Sequence, residues 1–104
     1  MTLNSKQRKF LEKNAQPLSP DVLIGGAGVT DAQIAQIDKM LADHELIKIK
    51  FNEFKEDKKE LTEQIVQKTN STFVRTIGNV STLYRPAEKA VNRKFEKDLK
   101  GLEK

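Results

Sequence analysis

The stretch Leu23-Ile24-Gly25-Gly26-Ala27-Gly28-Val29-Thr30-Asp31-Ala32-Gln33 decides how this chain is read. An apolar run enters a cluster of glycines, and a helix-opening signal follows at once. Val22-Leu23-Ile24 reads as a short, wholly apolar strand, buried and parallel to a neighbour. Thr30 and Gln33 stand at capping-box spacing, where each side chain would satisfy a backbone N–H of the first helical turn. Strand, glycine loop and helix N-terminus together are the usual apparatus for holding a phosphate.

Two nucleotide readings of that loop fail on chemistry. A mononucleotide P-loop needs Lys and Ser/Thr directly after its last glycine, and Val29-Thr30 follows Gly28 instead. Reading Gly26-Ala27-Gly28 as a dinucleotide fingerprint places Asp31, a charge, at the third close-packing position. What remains is Gly25-Gly26-Ala27-Gly28 as GxxG, which brings bare backbone to sugar–phosphate in RNA-binding modules. The same glycines would also serve an ordinary tight strand-to-helix turn.

Working outward, Asn4 or Ser5 caps a first helix running to about Asn14, with Phe10, Leu11 and Ala15 as its thin apolar side. Pro17 and Pro20 make the following segment a loop. After the glycine loop, Ile34, Ile37, Met40 and Leu41 recur at helical spacing. Leu46 to Phe51 alternates, with Ile47, Ile49 and Phe51 on one face and Lys48 and Lys50 on the other. Asp57 and Glu60 mark the start of a third helix with core residues Leu61, Ile65 and Val66. Phe73–Ile77 and Val80–Tyr84 flank Gly78-Asn79 as a hairpin, and Pro86 ends it. The order is αβαβαββ, an α/β chain. From Ala87 to Lys104 a stripe one residue wide, Val91, Phe95, Leu99 and Leu102, runs along a charged tail, helical or partly disordered.

At 104 residues the chain is one small domain, and the absence of cysteine excludes disulfides, thiolate metal sites and a cysteine nucleophile. No segment has signal-peptide or membrane-spanning character, so a cytoplasmic protein with no membrane contact is expected. The net charge of +4 is unevenly spread. Residues 1–20 carry +3, residues 21–45 carry −4, and the three later segments 46–60, 61–86 and 87–104 carry +1, +2 and +2. Such one-sided basic charge suits a polyanion partner, although a solvated surface would look the same.

Several stretches together resemble the CRM domain, in particular its stand-alone bacterial form, the YhbY family. They are Leu3-Asn4-Ser5-Lys6-Gln7, the glycine loop with its flanks, His44-Glu45-Leu46-Ile47-Lys48-Ile49-Lys50, Ile77-Gly78, and Leu83-Tyr84-Arg85-Pro86. The resemblance covers about residues 2–86, in order, and leaves 87–104 outside. It implies a four-stranded mixed sheet with three helices packed against it, similar to the C-terminal domain of a bacterial translation initiation factor. It also implies RNA binding and association with precursors of the large ribosomal subunit. The family's GxxG loop falls on Gly25, Gly26, Ala27 and Gly28. The Gly26-Ala27 middle offers no side-chain hydrogen bond, so affinity would come from backbone N–H groups and nearby cations.

The expected RNA contacts are therefore the loop, the first-helix stripe Lys6, Lys9 and Lys13, then Lys48, Lys50 and Arg85. Lys48 and Lys50 would equally be the polar face of a strand, whereas Arg85 suits bidentate pairing with phosphate. Tyr84 reads as core, with base stacking the alternative. His44, the single histidine, has no nucleophile or second histidine placed beside it and falls where a helix dipole favours a cation. No catalytic residue, metal ligand set or cofactor is expected, and the protein is expected to be monomeric. A protein-interaction module using the Val91/Phe95/Leu99 stripe is the competing function.

Overall fold

In the computed structural model, which describes residues 2–103, helices α1 (Ser5–Ala15), α2 (Asp31–His44), α3 (Lys58–Thr69) and α4 (Glu96–Gly101) pack against four strands. The strands are β1 (Val22–Ile24), β2 (Leu46–Phe51), β3 (Thr72–Ile77) and β4 (Val80–Tyr84). Met1 and Lys104, the last residue of the expected tail, lie outside the described residues. The sheet order is β1-β2-β4-β3. β1 runs parallel to β2, while β2–β4 and β4–β3 are antiparallel, so the sheet is mixed as expected.

The alternation in β2 divides the core between two sheet faces. Ile47, Ile49 and Phe51 join Val22, Ile24 and Leu83 under Ile37 and Leu41 of α2 and Ile65 of α3. Leu46, Val74 and Tyr84 face the other way, under Leu11 and Ala15 of α1 and Leu99 of α4. Helix α1 is set by a reciprocal capping box: Asn4 Oδ1 accepts from Gln7 N–H at 2.8 Å, and Asn4 N–H donates to Gln7 Oε1 at 2.9 Å.

Three expectations need correction. Leu23 is 55% exposed, because β1 is an edge strand and α1 lies across β2, β4 and β3. The capping box of α2 is half made. Thr30 Oγ1 accepts from Gln33 N–H, but the Gln33 amide donates to Gln36 Oε1. Asp57 makes no capping bond, since its φ of −97° and ψ of 6° are not the extended backbone that aims an N-cap side chain at the helix. A 3-10 turn, Lys55–Asp57, leads into α3 instead. The hairpin is as expected: Gly78 has a φ of +58° and Asn79 has no positive φ, the glycine-first pattern of a type II′ turn.

The tail folds as a 3-10 turn, Ala90–Asn92, whose residues stay exposed, followed by α4, which docks onto the domain. Leu99 is buried beside Leu11 and Tyr84, and the Phe95 ring meets Phe10 and Tyr84 edge to face. Gln7 and Asn4 donate to the carbonyls of Leu99 and Leu102. Burying one leucine contributes about 1.5–3 kcal/mol, so a stripe one residue wide suffices once it meets a ready apolar face. Val91 does not join it and is 87% exposed.

Candidate functional site

The glycine loop leaves the C-terminal end of β1 and opens α2. Gly28 N–H donates to Gly25 O at 3.0 Å, closing a four-residue turn with Gly26 and Ala27 at its exposed tip. Among the described residues, the N–H groups of Gly26 and Ala27 have no hydrogen-bond partner. Gly28 has a φ of +72°, which a side chain would strain. Gly25 and Gly26 have no positive φ, and a Cβ at either would meet nothing within 4 Å. Only Gly28 is thus required by the backbone. The other two keep side chains away from the turn, whose exposed tip carries two N–H groups with no partner among the described residues.

The neighbouring segment is tied to this loop. Asn52 and Glu53 N–H both donate to Ile24 O, the carbonyl just before Gly25. That bond pair delivers Phe54, whose ring atoms Cε2 and Cζ would lie 3.5 and 3.8 Å from a Cβ on Gly28. The β3–β4 turn closes the same end of the sheet: Phe51 N–H donates to Asn79 O, and Lys58 Nζ bonds Gly78 O and Asn79 Oδ1. Lys50 is exposed one residue before Phe51, which pairs with Ile24. Across the sheet, Leu23, Lys50, Val80 and Ile77 stand in register on the face that α1 leaves uncovered, with Leu23 55% and Ile77 65% exposed.

The remaining expected contacts are not gathered here. Lys48 Nζ donates to Gln16 O and Leu18 O, at the C-terminal end of α1, where a cation is favoured. Arg85 is committed inside the fold. Its guanidinium pairs with Asp38 Oδ1 at 2.6 Å and also donates to Thr69 O and Asp38 O, fastening α2 to α3. It follows Tyr84, which pairs with Leu46, so it sits at the opposite end of the sheet, about 17 Å of strand away. The Lys6, Lys9 and Lys13 side chains are exposed on α1, whose buried side is Gln7, Leu11 and Ala15. That helix lies on the sheet face opposite α2, the helix the loop opens. His44 is exposed in the last turn of α2. Asp31, in the first turn of α2, remains an acid close to the loop.

Sequence reasoning missed two features. Phe54 carries a φ of +55°, and no pattern in the sequence marks a phenylalanine for left-handed backbone. Glu45 is buried with a φ of +65° and accepts from Ala87 N–H and Lys94 N–H, each at 2.6 Å. Its carboxylate therefore holds the tail. Beside it, burial and then the Glu45 and Glu96 carboxylates push the Tyr84 hydroxyl up to about 12. Hydrogen bonds from Lys100 and Arg93 hold the Glu96 carboxyl below its ordinary value. Among the described residues, no group of three or more His, Asp or Glu side chains is placed to hold a metal ion, and no helix is long and apolar enough to cross a membrane.

Residues 3–85 match the family model of the CRS1 / YhbY (CRM) domain. The chain is 42% identical over 90 residues to a protein of Haemophilus influenzae named "RNA-binding protein", covering 86% of this chain and 91% of that one. It is 37% identical over 95 residues to the "Probable RNA-binding protein YqeI" of Bacillus subtilis, covering 90% and 97%. The solution structure of a hypothetical Staphylococcus aureus protein, itself suggested to bind RNA, superposes with a TM-score of 0.73 at 35% identity, covering 89% of this chain and 98% of that one.

Proposed function

The chain belongs to the CRS1 / YhbY (CRM) family, and we propose that it binds RNA through the Gly25–Gly28 turn, acting on ribosomal RNA in precursors of the large subunit. The observation that carries this reading is the exposed tip of the turn, where the N–H groups of Gly26 and Ala27 have no partner among the described residues and Gly26 carries no side chain. Backbone donors of this kind position a sugar–phosphate path without reading sequence. Lys50 is the nearest of the expected cations along the sheet. Lys6, Lys9 and Lys13 form a second basic surface on α1, suited to electrostatic capture of a longer RNA. The relatives named for RNA binding support the same ligand class.

The competing protein-interaction reading depended on a free Val91/Phe95/Leu99 stripe. Phe95 and Leu99 pack on the domain itself, which removes that surface. Two measurements test the proposal. Affinity for a single-stranded RNA should fall steeply with added salt, and a flat profile or equal binding to duplex DNA contradicts it. In a sedimented cell extract the protein should travel with large-subunit precursors. Migration only as free protein at low salt contradicts the ribosomal part alone.

A further inference from the structure

Three non-glycine residues among those described have positive φ, and two of them are explained by the fold. Asn70 is the C-cap of α3, where left-handed asparagine is common. Glu45 turns to bring its carboxylate onto two backbone N–H groups. Phe54 has neither reason. A bulky residue in this conformation is strained, yet Phe54 is 44% exposed, so burial does not account for the conformation. What the conformation achieves is placement. Backbone bonds on both sides, from Asn52 and Glu53 to Ile24 O and from Asp57 N–H to Phe54 O, hold the ring against Gly28.

The charges around the ring narrow what it can receive. A phenyl ring offers a phosphate neither charge nor hydrogen-bond donor, and its immediate neighbours Glu53, Lys55, Glu56 and Asp57 add no net positive charge. The face of a nucleobase is uncharged and stacks on an aromatic ring whatever its sequence. We propose that Phe54 stacks on an unpaired base of the RNA strand whose sugar–phosphate is held by the Gly25–Gly28 loop. This rests on the loop's reading as the phosphate site. The loop then holds the backbone while the ring holds the base beside it, which excludes a fully paired duplex from the same position.

The test compares single-stranded oligoadenylate with an abasic ribose-phosphate oligomer of the same length and charge. Phe54→Leu keeps an apolar cover over Gly28 but removes the aromatic face. It should weaken oligoadenylate binding about 5- to 100-fold and leave abasic binding unchanged. The protein has no tryptophan, so Phe54→Trp introduces a single indole whose emission reports stacking directly. Its fluorescence should be quenched by oligoadenylate and not by the abasic oligomer. Equal loss on both oligomers for Phe54→Leu, or no quenching in Phe54→Trp while salt-sensitive binding persists, overturns the stacking role and leaves the phosphate site standing. Loss of salt sensitivity for both oligomers in the wild-type protein overturns the phosphate site, and the stacking role with it.

Discussion

Each end of the sheet carries a bulky residue with a positive φ, Phe54 beside the glycine loop and Glu45 at the start of β2. At the Glu45 end Glu45, Arg85 and Tyr84 are all used internally. The carboxylate binds the tail, Arg85 joins α2 to α3, and Tyr84 lies buried under Phe95. At the loop end the N–H groups of Gly26 and Ala27 have no partner among the described residues, and Phe54 and Lys50 are exposed. The difference teaches that a charge or a strained residue is not itself a functional mark. What separates the two ends is whether its partners are already inside the molecule.

Breaking the internal end should cost the most stability. Glu45→Ala leaves the Ala87 and Lys94 N–H groups without their acceptor and frees the tail, so about 3 kcal/mol should be lost. Urea denaturation measures that loss, and hydrogen exchange should show the Leu99 amide unprotected. A loss under about 0.5 kcal/mol with the tail still protected would mean that Glu45 does not anchor it. Arg85→Ala should cost about 2 kcal/mol by removing the contacts to Asp38 and Thr69. Its salt slope for RNA should stay at the wild-type value, whereas a slope lowered by about one unit would return Arg85 to the binding surface.

The Tyr84 hydroxyl supplies a smaller, pH-dependent effect. Its folded-state value is raised from the ordinary 10.0 to about 12, so the neutral form is the one the fold favours. Stability from this group is fully present below pH 10 and is lost as pH rises through about 12. Because lysines titrate in the same range, the comparison is with Tyr84→Phe, whose alkaline decline should be shallower. Parallel curves for the two proteins would show that Tyr84 is not the group responsible. On the other side of the sheet, Lys6→Ala, Lys9→Ala and Lys13→Ala together should change stability by less than about 0.5 kcal/mol. They should flatten the salt slope of RNA binding more than Lys89→Ala with Lys97→Ala in the tail, and equal slopes would reduce the stripe to a solubilising surface.

The fold was legible wherever neighbours in sequence carry the information. Alternation marked β2, glycine marked the β3–β4 turn, and helical spacing marked α2 and α3. The tail was harder, because the apolar face that receives Leu99 is assembled from Leu11, Val74 and Tyr84, which are far apart in the chain. The same distance hid the partners of two candidate site residues. Lys48 meets the end of α1, and Arg85 meets Asp38 on α2, contacts that no local pattern encodes. The glycine loop could be singled out because bare backbone is written as glycine. Phe54 could not, since its placement follows from hydrogen bonds to Ile24 O rather than from its own side chain.

The central claim, that the open end of the sheet holds RNA by its backbone, is tested most directly at Gly26. This position has no positive φ and open space around its Cα, so Gly26→Asp should fold with stability within about 0.5 kcal/mol of the wild type. The carboxylate would then stand at the tip where phosphate is expected, repelling it and covering the two N–H donors. A salt titration of single-stranded RNA binding by this variant, with its stability measured alongside, should show affinity reduced by about tenfold or more at low salt. The reduction should narrow as added salt screens the charge. A well-folded Gly26→Asp protein that binds RNA as tightly as the wild type at every salt concentration would contradict the account.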